Sequence, residues 1–555
     1  MATVTFNFPD LVKLVGKDDL TLDKVREDLF ELGLETEAIE GDEVTFEVTS
    51  DRADLLSEEG IAMMLRAFYG LQTGMIMPEI HSSDYTLVVN REVEDIRPYI
   101  TGAIVRGVHF TDESIKSIMH LQEKLHGTFG RRRKKGAIGV HDLSKIKGKT
   151  IHYRGVPKDS VKFVPLQSNE LMTPAEVMQR HDKGKDYGYV LEGKEMVPLI
   201  YDDDGVFSFP PIINSKRTEV SIDTTELLIE LTGEDMRTID YMLNIALYSL
   251  SLRGAKIYSV TVKYPDKDLP RPDFGVREMR MDVEYINRIL GLGLMSNKIS
   301  ELLLRMGFGI KEVKDDYLVV QIPPYRADIL HKRDIVDDVG RVYGYNNITP
   351  SYPNTPSIGK LTERNKLGDA VREVMIGLGC QDTLNFILIG KDEITTKMGQ
   401  TNTNNIVEIS NPYAEQYNVV RTWLTPSLMI VLSNNLHREY PQNIFEVGAV
   451  AHIDDTTDTG VFEEDHVACA LCYSKAGFNE VKAKLQALCF NFGLADKLST
   501  PPASDPTFID GRCAEIVIGD KRAGIIGEVR PEVLKNWGIE MPVAVFEMEV
   551  SALKN

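Results

Sequence analysis

The chain has 555 residues, enough for three or four domains at roughly 150 residues each. Apolar residues make up 43%, charged residues 26% and aromatic residues 8%, an ordinary globular balance with material for several cores. Lys and Arg number 63 against 84 Asp and Glu, and a net charge of −21 excludes a protein that coats nucleic acid through bulk charge.

Any RNA contact must therefore come from local basic patches. The sequence holds no run of about 18 apolar residues, so no membrane span is expected. The opening Met1–Phe6 lacks a basic segment followed by an apolar one, so no secretory signal is expected either. Five cysteines, an odd number, do not make a disulfide framework, and the expectation is a reduced, cytoplasmic protein.

In chain order, an amphipathic helix is predicted around Val25, Leu29 and Leu32 and is stopped at Gly33. A strand follows over Val44–Val48, then a turn carrying Arg52-Ala53-Asp54, then a second helix. Near Pro78–Asp84 this pattern gives way to the alternating Thr86–Val89. The basic run Arg131, Arg132, Arg133, Lys134, Lys135 lies between two glycines, where five adjacent cations need a polyanion or full solvation. RNA phosphates and an open surface loop both satisfy that need. His141, beside Asp142, has the chemistry of a base and equally that of a hydrogen-bonded histidine at a strand end. Ser208–Ser215 and the strand Leu228–Gly233 follow, the latter with Glu230 and Thr232 on one face, as a pocket wall or a solvated strand requires.

The proline-rich Pro265–Pro272 and Thr349–Pro356 read as extended connectors. Between them stands the second copy of a repeat. Shifted by 274 positions, Lys24–Leu71 lies on Lys298–Tyr345 without a gap, with 12 of 48 pairs identical, among them both Arg-Ala-Asp turns. Two copies of one small α/β module explain this, the alternative being chance similarity between two common helix–strand–helix patterns. In the second copy Asp334, Asp337 and Asp338 fall at i, i+3 and i+4 on one helix face, and Asp328 stands just before that helix. Four carboxylates suit a hard cation such as Mg2+, while acids near a helix N-terminus also complement its dipole. The first copy keeps Asp54 but has Gly60, Met63 and Met64 at the other three places, so the fold itself does not require the cluster.

In the last third, helices are predicted near Leu361–Leu378 and Glu480–Phe492. Strands are predicted over Ile444–Val450, Val467–Tyr473, Ala514–Ile518, Ala523–Val529 and Val543–Val550. Strands that succeed one another through short turns favour an antiparallel sheet with helices on one face. Cys469 and Cys472 are spaced CxxC but sit in an alternating apolar run with no second pair, which favours packing over zinc. Dinucleotide and P-loop glycine motifs, HExxH and GxSxG are all absent.

These residues together resemble the β subunit of phenylalanine–tRNA ligase in its archaeal and eukaryotic-cytosolic form. The likeness runs through Val4–Asn7, Arg131–Asp142, Phe209–Asn214, Pro324–Ile329 to Gly344-Tyr345, Asn411-Pro412, Val420–Thr422, Phe445–Gly448 and Gly527–Val529. It implies an α+β multidomain fold: an N-terminal module over 1–83, a tRNA-editing domain over 84–268, the second module with its acidic cluster over 273–347, and a class II synthetase-like antiparallel sheet with helices over 357–555. That last part lacks the Gly-rich and Arg-x-Glu segments that grip ATP in active class II domains, which implies a synthetically inactive copy.

The resemblance further implies an α2β2 heterotetramer with an α subunit that carries the synthetic site. The complex would use ATP to attach phenylalanine to its tRNA, and the middle domain would hydrolyse tyrosine wrongly attached. The implied editing pocket is Glu230 with Leu199, Ser208 and Thr232, and Arg131–Lys135 would meet the tRNA. Asp328, Asp334, Asp337 and Asp338 fit the family's magnesium pattern, with two aspartates where bacterial members commonly have the longer glutamate. A free-standing editing hydrolase and a structural tRNA-binding scaffold are the alternatives: the first has no use for the C-terminal third, and the second would bind tRNA without deacylating it.

Overall fold

The computed structural model describes residues 2–353, 355–401 and 404–554. The chain forms two compact units, Met1–Tyr352 and Pro353–Asn555. No helix among the described residues is long and apolar enough to cross a membrane.

In the first unit the repeat folds twice into the same design. Strand Ala2–Asn7 pairs with Glu43–Val48, which pairs with Glu35–Glu40. Arg277–Asp282 pairs in the same way with Tyr317–Ile322 and that with Gly309–Val313, every pairing antiparallel. Each sheet is followed by a helix, Glu58–Phe68 in the first copy and Lys332–Tyr343 in the second, entered through Ser57 and His331 as N-caps. Gly33 and Gly307 stop the preceding helices at positive φ, where a side chain would be strained.

The middle of this unit holds two larger sheets. The five-stranded sheet runs in the order Ile80–His81, Lys256–Tyr258, Tyr99–Arg106, Glu226–Gly233, Gly136–Asp142. The seven-stranded one runs Ile213–Asn214, Gly205–Phe209, Met196–Asp202, Thr150–Pro157, Thr86–Val89, Val260–Lys263, Asp268–Arg271. Strand Glu226–Gly233 is buried on both faces. Leu227, Ile229 and Leu231 pack with helix Met236–Leu252, whereas Leu228 joins Leu87, Ile104, Ile151, Ile200 and Phe207 in the layer between the sheets. Glu230 lies in that second row, which is why a charged residue there demands explanation.

The three stretches expected as separate domains in this unit share one apolar core. It runs from Leu29, Val44 and Phe46 through Ile239, Leu243 and Leu247 to Leu318, Val320 and Ile335. Helix Met236–Leu252 is the common element: Ser249 bonds Ser57, Asn244 bonds the carbonyls of Asp273 and Pro324, and Tyr248 meets Tyr325 edge-on at 4.6 Å.

The second unit is built on a seven-stranded sheet, with Gln442–Ile453, Val461–Cys472, Val543–Glu549, Lys521–Val529 and Phe508–Ile518 antiparallel in that order. Helices cover both faces, not one. Val467, Cys469 and Leu471 pack against helices Glu363–Gly377 and Phe478–Asn491, while Ala468, Ala470 and Cys472 pack against Thr425–Asn434 and Pro531–Asn536. A strand apolar at consecutive positions has two faces to bury. The same alternation sends Cys469 and Cys472 to opposite faces.

Candidate functional site

A cavity of about 430 Å3 opens in the middle of the first unit. One wall is helix Asp112–Gly127, whose capping box joins Thr111 and Ser114. It turns Ile115, Ile118, Met119, Gln122, Glu123 and His126 to the cavity, a three-and-four spacing that marks one helix face. Along about 16 Å of rise that face passes from apolar to polar. Strand Gly136–Asp142 and the segment Ser208–Asn214 supply the opposite side.

Glu230 lines this cavity and is 2% exposed. Its two register partners are both glycines, Gly102 on one side and Gly139 on the other. A Cβ at 139 would stand 2.3 Å from the Glu230 Oε1, so the carboxylate occupies space that only glycine leaves open. Oε1 accepts from the Ser208 hydroxyl at 3.1 Å and lies 3.6 Å from the His141 Nε2, while Oε2 has no hydrogen-bond partner among the described residues. His141 Nδ1 pairs with the Thr218 hydroxyl at 2.9 Å, which fixes the ring, and Asn214 reaches the Val140 carbonyl. A buried acceptor without a donor costs about 1–3 kcal/mol and is what a ligand hydroxyl would relieve.

The structure therefore brings Glu230 and Ser208 together and separates the other two expected pocket residues from them. Thr232 shares the Glu230 face, but its hydroxyl takes the Arg97 Nε at 2.9 Å and does not line the cavity. Leu199 is on the wrong face of its strand: Ile200 points between the sheets, and Leu199 packs outward with Phe163, Val177 and Phe209. Gly139, His141 and Asn214 are the neighbours that reasoning from the single strand missed. The pairing of Gly136–Asp142 with Glu226–Gly233 reveals Gly139 and His141, and the pairing of Ser208 with Asn214 adds the third.

The basic run divides as well. Arg131, Arg132 and Lys134 are exposed and Lys135 is half-buried, whereas Arg133 is 6% exposed and turned into the cavity wall. Its guanidinium donates to the carbonyls of Pro211 and Ile212 at 3.1 and 2.8 Å and to Glu123 at 2.8 Å. Arg133 thus leaves the set expected to meet the tRNA backbone.

Asp328, Asp334, Asp337 and Asp338 line a second cavity of about 210 Å3, together with Arg52, Arg326, Arg333, Arg341 and Asp51. Arg326 donates to both Asp328 and Asp338 at 2.6 Å. Asp334 accepts from the amides of Leu330 and His331, and Asp337 from Arg341 and Tyr345. Burial raises the Asp338 carboxyl against the pull of Arg326; at Asp328 burial acts the same way, but the guanidinium wins and holds it below the usual range. Among the described residues no three such groups are placed to hold one metal ion. With each carboxylate bonded to arginine or backbone, the donor set does not fit Mg2+ as arranged.

The comparisons fit this architecture. Residues 96–245 match the B3/4 domain, 279–345 the tRNA synthetase B5 domain, and 348–550 the phenylalanyl tRNA synthetase beta chain CLM domain. The phenylalanine–tRNA ligase beta subunit of Methanocella arvoryzae is 72% identical over the full length of both chains. The chain belongs to the phenylalanine–tRNA ligase β-subunit family. It is accordingly a subunit of an aminoacyl-tRNA ligase. The beta subunit of Natronomonas pharaonis is 44% identical, again over both full chains. The crystal structure of an N-terminal fragment of the Pyrococcus horikoshii beta subunit is 35% identical with a TM-score of 0.59, covering 62% of this chain and 99% of that one.

Proposed function

We propose that this chain serves an α2β2 phenylalanine–tRNA ligase, with an α subunit that makes phenylalanyl-tRNA at the expense of ATP, while its own cavity hydrolyses tyrosine wrongly joined to that tRNA. The observation that supports the editing role is Glu230: a buried carboxylate with an unbonded oxygen, flanked by two glycines, in the wall of a largely apolar cavity. An apolar synthetic pocket rejects a ring with one extra hydroxyl by only ~100-fold. A pocket that bonds that hydroxyl reverses the preference, since phenylalanine would leave the Glu230 oxygen unpaired, and such sites discriminate by ~10^4-fold or more.

Under this reading Ser208 orients the carboxylate, a water attacks the ester, and Arg131, Arg132 and Lys134 lie exposed for RNA phosphates. Magnesium is a requirement of the whole complex, and the 328–338 cluster is given no step. The α-containing complex should deacylate Tyr-tRNA, and Glu230→Ala should lose that activity while phenylalanine attachment continues. Tyr-tRNA hydrolysis unchanged in Glu230→Ala would refute the assignment. The β chain alone should show no phenylalanine-dependent ATP–pyrophosphate exchange and should gain it on addition of α; exchange by β alone would refute the division of labour.

A further inference from the structure

We infer that Arg133 is a catalytic residue of the editing cavity, the group that holds the negative charge developing on the ester carbonyl oxygen. This inference rests on the editing reading above. Arg131, Arg132 and Arg133 all have positive φ, 48°, 50° and 66°. Three consecutive non-glycine residues there are strained, and such strain persists only where surrounding structure enforces it. Arg97 enforces it. Buried beneath the turn, it donates to the carbonyls of Arg133 and Lys134 at 3.0 and 2.9 Å and to the Thr232 carbonyl at 2.6 Å. The strained turn and its buried clamp have one visible result, which is to carry the Arg133 side chain off the surface and into the cavity that contains Glu230.

The guanidinium is held there on several sides. Pro211 and Ile212 take its Nη1 hydrogens, Glu123 takes one on Nη2, and the Tyr187 ring lies 3.9 Å from its carbon. Of its five N–H donors, the Nε hydrogen has no acceptor among the described residues. A fixed cation with an uncommitted donor in a cavity wall is preorganised for charge that appears during reaction. Ser208, which bonds Glu230, and Ile212, which anchors Arg133, belong to one short segment. The ring-recognition group and the cation are thereby tied to the same scaffold.

The step balances without any further reagent. The water oxygen adds to the carbonyl carbon as the π pair moves onto the carbonyl oxygen, where Arg133 stabilises it. Collapse breaks the bond to the ribose oxygen, which takes one proton derived from the water; the other is released with the tyrosine carboxylate.

The test compares Arg133→Gln and Arg133→Lys with wild type in the full ligase complex, on Tyr-tRNA and on tyrosyl-adenosine, which has no phosphate. Arg133→Gln should lower the deacylation kcat about 100-fold with KM within about threefold, equally on both substrates, and Arg133→Lys should recover about a tenth of the wild-type rate. Phenylalanine attachment by the same preparations reports an intact fold. A raised KM at unchanged kcat, or a loss confined to the phosphate-bearing substrate, would make Arg133 a tRNA-phosphate contact and overturn the inference. So would a Lys variant no faster than the Gln one. If Arg133→Gln does not assemble, the Lys variant decides alone: kcat equal to wild type overturns the inference and a tenfold fall supports it. A wild-type complex that leaves Tyr-tRNA intact would remove the editing reading itself, whereas active wild type with active Arg133→Gln removes only the role of Arg133.

Discussion

A side chain on Gly139 and the carboxylate of Glu230 cannot share the same space. The two residues are register partners, and a Cβ at 139 would come within 2.3 Å of Oε1. Gly139→Ala must therefore push Glu230 away from Ser208 or bend the strand pair. The expected outcome is a fall of about 10- to 100-fold in Tyr-tRNA deacylation, the kinetic equivalent of the roughly 1–3 kcal/mol attached to one displaced buried hydrogen bond. Phenylalanine attachment should be unaffected. Deacylation assays on the two forms decide it, and an unchanged rate would show that the carboxylate position is irrelevant to the reaction.

This relationship also shows where reading the sequence stopped. Alternation along one strand was enough to put Glu230 and Thr232 on a common face, and the structure agrees. Which residues stand opposite depends on pairing across about ninety positions of chain, and no local pattern encodes that register. Leu199 was misplaced for the same reason, since shifting a strand by one residue exchanges its faces. Arg133 was hidden differently: five cations in a row look like a solvated loop, and only the buried Arg97 beneath them reveals that one is turned inward.

The internal repeat yields a second prediction. Arg52 bonds Asp54 at 2.7 Å with Met64 Sδ 4.0 Å from its Nη2; Arg326 bonds Asp328 at 2.6 Å with Asp338 at Met64's repeat position. The fold thus tolerates methionine at this position when the Arg–Asp pair is kept. Asp338→Met should cost clearly less stability than Arg326→Met, which strands two buried carboxylates and should cost about 3–5 kcal/mol. Urea unfolding of the two variants measures the difference, and the opposite order would count against the pseudo-symmetric reading. Adding a chelator to the wild type should leave its midpoint unchanged, because the cation serving these acids is Arg326.

The fold was more legible than the site for a physical reason. Helices and strands of the repeat, and the five long strands of the second unit, are written in local apolar periodicity. The acidic cluster was legible as a cluster but not in its chemistry, because Asp338 meets its arginine twelve residues back in the chain. Spacing on one helix face shows which acids can converge and leaves unstated what cation waits for them.

A third prediction concerns pH and the second unit. His466 lies between Glu547 at 2.8 Å and Glu464 at 3.2 Å. Burial opposes charging its ring, but the bonds to these two carboxylates outweigh it and raise its pKa to about 9. In the unfolded chain the same ring titrates near 6.5. Below that value both states are protonated and the ion pair contributes in full; as pH rises toward 9 the folded state alone keeps the proton, and the contribution is lost. A shift of this size corresponds to on the order of 3 kcal/mol. His466→Gln should therefore lower the thermal midpoint most near pH 6, and the gap from wild type should close as pH approaches 9. Glu547 retains the amides of Leu424 and Thr425 and the Thr425 hydroxyl as donors in the variant, so its burial alone does not erase the comparison. Thermal melts of both forms across that range make the measurement, and a gap that widened with pH would show that His466 is neutral in the folded protein.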